Sequence, residues 1–353
     1  MTTTSEIKTA IIGYGFSATT FHLPFILNLP PFRFMAVSTS QGEQVRQQHP
    51  EVAVYADADT LLTDSDADLV IITAPNEAHY ALAKRALQQG KHVVLEKPFV
   101  TRVEQGEELI ALAKQQQRVL SVYQNRRWDG DFLTVKKLIA DGRLGAVRYF
   151  ESHFDRFRPE VRKRWRESDV EGGGILFDLG PHMLDQALQL FGPPTAITAQ
   201  VKALRPQAKV DDFFHITLHY PEHQAVLRSS PFCAAPTLRF EVQGEAGSYM
   251  KHGLDPQEDR LKAGALTVAA DWAQENPEQY GQLYTADGAM PIKTETGGYQ
   301  HYFQQLAQAI LAGGEIPVSA EQALCNIRLI QLALQSSASG QTVAVDSSGW
   351  PAR

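Results

Sequence analysis

At 353 residues the chain is longer than a single hydrophobic core usually serves, so two domains are expected, and 43% hydrophobic with 21% charged residues excludes a disordered or fibrous class. A formal charge of −7 argues against nucleic acid as the main partner, and no apolar run approaches the length that spans a bilayer. The opening MTTTSEIKTA lacks the basic and apolar regions of a signal peptide, and Cys233 and Cys325 match no metal-ligand spacing, so a cytoplasmic, reducing compartment is expected.

In the first third, short apolar runs alternate with stretches of helical period. Strands are expected at 9–12, 32–37, 52–55, 69–73, 93–95 and 119–122, and helices at 81–89, closed by Gly90, and 103–116, introduced by Thr101. This alternation with short loops is the sequence form of a doubly wound parallel sheet.

The first strand runs into Gly13-Tyr14-Gly15-Phe16-Ser17-Ala18, a GxGxxA pattern. Small residues are needed there because the backbone must turn tightly and approach a pyrophosphate. The pattern follows a strand and opens a series of βα units, which is the context a dinucleotide site requires. At the end of the second strand, where an acid usually binds the ribose diol of NAD, stand Ser38, Thr39 and Ser40. Hydroxyls in place of a carboxylate favour NADP over NAD, with Arg46 the distant candidate for a phosphate partner. The other reading of these hydroxyls is that they cap the next helix.

The fourth strand leads into Thr73-Ala74-Pro75-Asn76-Glu77-Ala78-His79, where Pro75 keeps the loop off the helical path and sets Asn76 and His79 beside the expected cleft. His79 reads equally as a partly buried residue of the following helix. The fifth strand, His92-Val93-Val94-Leu95-Glu96-Lys97-Pro98-Phe99, passes from a buried run straight into a carboxylate, an amine and a proline. Pro98 biases Lys97 toward extended backbone, so the main chain aims the ammonium at the carboxyl end of the sheet, where open α/β folds bind ligands.

Beyond Arg126 a helix at 131–140, closed by Gly142, and a strand at 146–154 lead into a second domain. Six basic residues crowd 155–166; the segment reads either as a solvated loop or as a flap whose Arg156, Arg158 or Trp165 binds hydroxyls or a phosphate of the substrate. In Gly172-Gly173-Gly174-Ile175-Leu176-Phe177-Asp178-Leu179-Gly180-Pro181-His182, Asp178 and His182 stand four apart and share a helix face, so the carboxylate can orient the imidazole. Pro181 suits a first turn, which predicts a helix start near Asp178 or a distortion there. The plainer alternative makes Asp178 an N-cap and His182 exposed.

Strands at 197–204, 213–220, 224–229, 238–243 and 246–251 follow in succession, the form of a largely antiparallel open sheet in an α+β domain. An uncovered face of such a sheet leads us to expect a homodimer or homotetramer. His215 and His219 have no evident third ligand, so no metal is expected. The stretch 255–296 shows little period and is expected to form an irregular excursion, and helices at 299–311 and 320–335 close the chain. The expected fold is therefore α/β: a Rossmann domain over 1–125 and an α+β substrate and oligomerisation domain over 126–353, whose last helices can pack back on the first.

The order GxGxxA, T-x-P-N-x-x-H, E-K-P and D-x-x-x-H resembles the glucose-fructose oxidoreductase and inositol 2-dehydrogenase (Gfo/Idh/MocA) family. The Asn125-Arg126-Arg127-Trp128-Asp129 and Phe154-Asp155-Arg156-Phe157-Arg158-Pro159 stretches are most similar to its NADP-dependent scyllo-inositol dehydrogenase branch. The resemblance implies an NAD(P)-dependent enzyme that interconverts a secondary alcohol and a ketone on a sugar, inositol or related polyol. It implies Lys97, His182 and Asp178 as catalytic and substrate-binding groups, and the flap reading of the basic segment adds Arg156 and Trp165 toward the substrate. The implied cofactor set is Gly13, Tyr14, Gly15, Phe16, Ser17, Ala18, Ser38, Thr39, Ser40, Thr73, Pro75, Asn76, His79, Glu96, Lys97, Asn125 and Arg126. How Lys97 and His182 divide the work stays open, since a desolvated lysine also takes protons. Two rivals remain: a non-catalytic NADP-sensing regulator on the same fold, and an NAD-dependent glycoside hydrolase that retains its cofactor.

Overall fold

The computed structural model describes residues 6–162, 167–265, 269 and 271–351. Contacts divide the chain into two units, one of residues 1–125, 257–272 and 298–324, the other of 126–256, 273–297 and 325–353.

The first unit holds a six-stranded parallel sheet of β1 (Ile7–Ile12), β2 (Phe32–Ser38), β3 (Ala53–Tyr55), β4 (Leu69–Ile72), β5 (His92–Leu95) and β6 (Leu120–Val122), in the order β3-β2-β1-β4-β5-β6. The order reverses between β1 and β4, and that switch point is where such sheets open a crevice at their carboxyl ends. Continuous apolar strands need cover on both faces, and all four residues of β4 are buried. Burying each such Leu, Val or Ile contributes roughly 1.5–3 kcal/mol. Helices α1 (Leu23–Asn28), α2 (Gly42–Gln48), α3 (Ala58–Asp64), α4 (His79–Gln88) and α5 (Val103–Gln116) connect the strands. Asp57 caps α3 by accepting from the Thr60 amide at 2.8 Å.

In the second unit α6 (Gly130–Ala140), β7 (Val147–His153) and α7 (Ile175–Phe191) precede the strands β8 (Ala196–Lys202), β9 (Phe213–His219), β10 (Gln224–Ser229), β11 (Leu238–Gly244) and β12 (Gly247–His252). With β13 (Gly281–Thr285), β14 (Gly288–Ile292) and β15 (Val343–Ala344) they form a nine-stranded sheet, β14-β13-β12-β11-β7-β10-β9-β8-β15. Among the described residues only β7 and β10 pair in parallel in this sheet. The alternation expected of a half-covered sheet is plain in β9, where Phe214, Ile216 and Leu218 are buried while His215, Thr217 and His219 are half-buried.

Three further helices lie late in the chain: α8 (Gln257–Lys262), α9 (Gln300–Ala312) and α10 (Ala320–Ser339). Both α8 and α9 belong to the first unit, where Phe303 stacks on Phe25 at 5.0 Å and the Tyr302 hydroxyl donates to Ser121 Oγ at 2.8 Å. Among the described residues no helix is long and apolar enough to cross a membrane.

Two elements differ from the sequence reading. The stretch 255–296 is not an irregular excursion: it carries α8 and the β13–β14 hairpin, whose loop ends in Asp287 and Gly288, the latter at φ 128°. That Asp-Gly pair is a hairpin signal in its own right, hidden because the flanking strands, GQLYT and GAMPI, lack strong alternation. The second difference is the start of α7, at Ile175 rather than near Asp178, which leaves Pro181 inside the helix instead of in its first turn. The cause lies 35 residues downstream: Asp211 accepts from the Leu176 amide through Oδ2 at 2.7 Å and from the Ile175 amide through its main-chain oxygen at 2.9 Å.

Candidate active site

In the first unit the glycine loop is built for close approach. Gly13 has φ 95°, and a Cβ there would lie 2.7 Å from Thr73 Oγ1, so the tight turn admits no side chain. Around Gly15, by contrast, nothing stands within 4 Å of where a Cβ would be, leaving the backbone accessible. These two positions fit a dinucleotide, one for the turn and one for the approach of the pyrophosphate. The Tyr14 hydroxyl donates to Gln48 at 3.0 Å, Ala18 is buried, and Phe16 is 55% exposed with the Lys262 ammonium 5.8 Å from its ring centre.

At the end of β2, Ser38 is buried, Thr39 is half-buried and Ser40 is exposed. Thr39 Oγ1 accepts from the Gln41 amide at 3.0 Å, so one of the three hydroxyls does shape the turn into α2. Arg46 folds back along α2: its Nη1 lies 3.4 Å from where a Cβ on Gly42 would be. A guanidinium four residues into the helix thus lies beside the first residue of α2.

The β4 and β5 ends are tied together from below. Thr73 Oγ1 donates to the Ile12 oxygen at 3.1 Å; Asn76 is buried in a short 3₁₀ turn after Pro75. His79 is buried, with Nδ1 2.9 Å from the Pro98 oxygen and Nε2 3.0 Å from the Ala74 oxygen, and burial lowers its pKa. The imidazole is a strut between the two loops.

Glu96 is also spoken for within the chain. Its Oε1 meets His22 Nε2 at 2.8 Å and the Ser17 hydroxyl, and its Oε2 accepts from the Lys97 amide at 3.1 Å. Burial alone pushes this carboxyl up, but the hydrogen bond and charge of His22, the Ser17 hydroxyl and the Lys97 charge together hold it at about 2. The carboxylate fastens the helical turn after the glycine loop to the end of β5, and Lys97, half-buried, follows it at the cis Lys97–Pro98 peptide. His22 drew no notice in the sequence, since 74 residues separate it from Glu96.

In the second unit Asp178 lies one turn inside α7, half-buried, and His182 is 5% exposed, so neither the N-cap nor the exposed-histidine alternative holds. Asp178 lines a cavity of about 40 Å³ with Arg156, Arg158, Ser229, Ser230 and Asp211 among its walls. Arg156 also lies over the Phe154 ring at 5.2 Å; Trp165 lies outside the described residues. Further along the same face of α7, Asp185 receives both Arg127 Nε and Nη2 at 2.7 Å. Gln186 donates to the Arg126 oxygen at 2.9 Å. Asn125 is buried, and Arg126 is turned to Asp129 at 3.2 Å and to the Phe154 ring at 4.9 Å, so its guanidinium is engaged in the second unit's own packing.

Comparison with known proteins agrees with this layout. Residues 7–124 match the oxidoreductase-family model for the NAD-binding Rossmann fold, and residues 136–345 match the model for its C-terminal alpha/beta domain. The oxidoreductase YdgJ of Escherichia coli is 45% identical over 94% of this chain and 96% of its own length. The scyllo-inositol 2-dehydrogenase (NADP(+)) IolW of Bacillus subtilis is 40% identical over 96% of each. The solved structure of the oxidoreductase yvaA from Bacillus subtilis superposes with a TM-score of 0.93 at 38% identity, covering 97% of this chain and 99% of that one. With both domain models matched across nearly its whole length, the chain belongs to the GFO/IDH/MocA oxidoreductase family.

Proposed function

We propose that the protein interconverts a secondary alcohol and a ketone on an inositol, sugar or related polyol, using NADP. The observation that carries the reading is Lys97, held at the carboxyl end of β5 by a carboxylate that is itself locked to the glycine loop. Bound NADP supplies the hydride acceptor. Lys97 hydrogen-bonds the reacting oxygen and steadies its growing negative charge. His182 takes the hydroxyl proton as general base, a role that typically contributes ~10²- to 10⁴-fold in rate. Asp178 bonds the substrate or orients the imidazole, and Arg156 binds a remote hydroxyl.

Support for NADP comes from the hydroxyls at 38–40 and from Arg46 over Gly42, with no carboxylate there to repel a 2′-phosphate, and from the name that IolW carries. The half-covered face of the nine-stranded sheet supports a homo-oligomer.

The test is a panel of inositols, aldoses and sugar phosphates, each offered with NADP and with NAD while reduced nucleotide is followed by absorbance. Steady reduction of NADP by a cyclic polyol is expected. Bound nucleotide without net reduction by any alcohol would contradict the reading.

A further inference from the structure

The segment of α7 that bears Asp178 and His182 contains Pro181, which has no amide hydrogen to give the Phe177 oxygen, so this turn lacks one of the helix's own hydrogen bonds. The start of α7 is fastened by a residue from the loop before β9: Asp211 Oδ2 accepts from the Leu176 amide at 2.7 Å, and its main-chain oxygen accepts from Ile175 at 2.9 Å. Its neighbour Asp212 is otherwise employed, accepting from the Leu204 amide at 2.7 Å and from Arg205 Nε at 2.9 Å. The Asp211 carboxylate also fills the space where a Cβ on Gly174 would begin, and Gly174 has φ 90°. The glycine before α7 is therefore the complement of this one side chain.

We propose that Asp211 is a positioning residue: its carboxylate fixes the first turn of α7 and so sets the Asp178 side chain at the cavity wall the two residues share. The proposal rests on the reading that Asp178 and His182 serve the substrate. Desolvation pushes the Asp211 carboxyl up to about 6, with Asp212 adding to it and the amides of 175 and 176 opposing. Its charged neighbours around the cavity are Arg156, Arg158, Glu167, Asp178, Arg205 and Asp212. At neutral pH the clamp is ionised and able to accept.

Hydrogen exchange followed at neutral pH tests the clamp without any substrate. In Asp211→Ala, amides across 175–182 should exchange about tenfold faster, the size of one lost capping bond, while β1 to β6 keep their protection. Asp211→Asn retains an acceptor and should stay close to the parent protein. Gly174→Ala, which displaces the carboxylate, should reproduce the Asp211→Ala pattern. With the polyol turned over fastest in the panel above, Asp211→Ala should lose about 10- to 100-fold in kcat/KM at unchanged affinity for NADPH, and Asp211→Asn should recover most of it. Parent-like exchange in Asp211→Ala, or an asparagine variant as impaired as the alanine one, would overturn the proposal. Loss of turnover in Asp178→Asn and His182→Asn separates that failure from a failure of the functional reading, which would leave those two variants active.

Discussion

His22 Nε2 lies 2.8 Å from Glu96 Oε1, joining the helical turn after the glycine loop to the residue that precedes Lys97. Both groups are buried, and His22, with the Ser17 hydroxyl and the Lys97 charge, holds Glu96 at about 2, well below the usual carboxylate range. A carboxyl depressed in the folded state contributes stability that is present above its unfolded pKa and is lost as pH falls through its folded value. The window here runs from 4.5 down to about 2, and the full contribution is up to about 3 kcal/mol. Melting temperature should therefore fall more steeply below pH 4.5 in the parent protein than in Glu96→Gln, which starts lower at neutral pH. Parallel pH profiles for the two would show that the pair contributes nothing.

The two glycines of the loop should fail in different ways. Gly13→Ala brings a methyl onto Thr73 in a left-handed conformation, so it should lower the melting temperature and weaken NADPH binding together. Gly15→Ala meets nothing in the protein, so its melting temperature should hold while NADPH affinity drops about tenfold or more, read by fluorescence titration. Equal melting temperatures for both variants would contradict the geometry at Gly13.

Arg46 offers a direct handle on cofactor choice. Removing one charge-assisted contact to phosphate costs about 1.5–3 kcal/mol, so Arg46→Ala should weaken NADPH binding by roughly tenfold or more and leave NADH unaffected. Calorimetric titration with both nucleotides is the check; an equal loss for both would remove Arg46 from 2′-phosphate recognition.

The Arg127–Asp185 fork is nearly buried, with side chains 9% and 3% exposed. Breaking one partner of such a pair leaves an uncompensated charge and costs about 3–5 kcal/mol. Arg127→Met and Asp185→Leu should each lower the urea midpoint strongly, and the double variant should be less destabilised than the sum of the two. Simple additivity would mean that the pair does not act as a unit.

Local chemistry made much of this fold readable in advance. Strands β4 and β5 announce themselves as short apolar runs, and the switch of Leu95 to Glu96, Lys97 and Pro98 marks where β5 leaves the sheet. Asp178 and His182 are legible because a helix repeats every 3.6 residues. What escaped is non-local. The spacing of 74 residues between His22 and Glu96, or 35 between Leu176 and Asp211, carries no periodic signal, and only the folded chain brings these groups together. The early start of α7 follows from the same cause, since its cap comes from another loop rather than from its own leading residues. The β13–β14 hairpin had a local signal at Asp287-Gly288, but β14 is largely exposed and so lacks an apolar stripe.

In the proposed reaction Lys97 acts on the reacting oxygen and not on the nucleotide. Turnover and NADPH affinity measured side by side for Lys97→Ala test it most directly. Loss of turnover by about three orders of magnitude or more, with the dissociation constant for NADPH nearly unchanged, is the predicted result. Near-normal turnover in Lys97→Ala, or a loss explained by failure to bind NADPH, would contradict it.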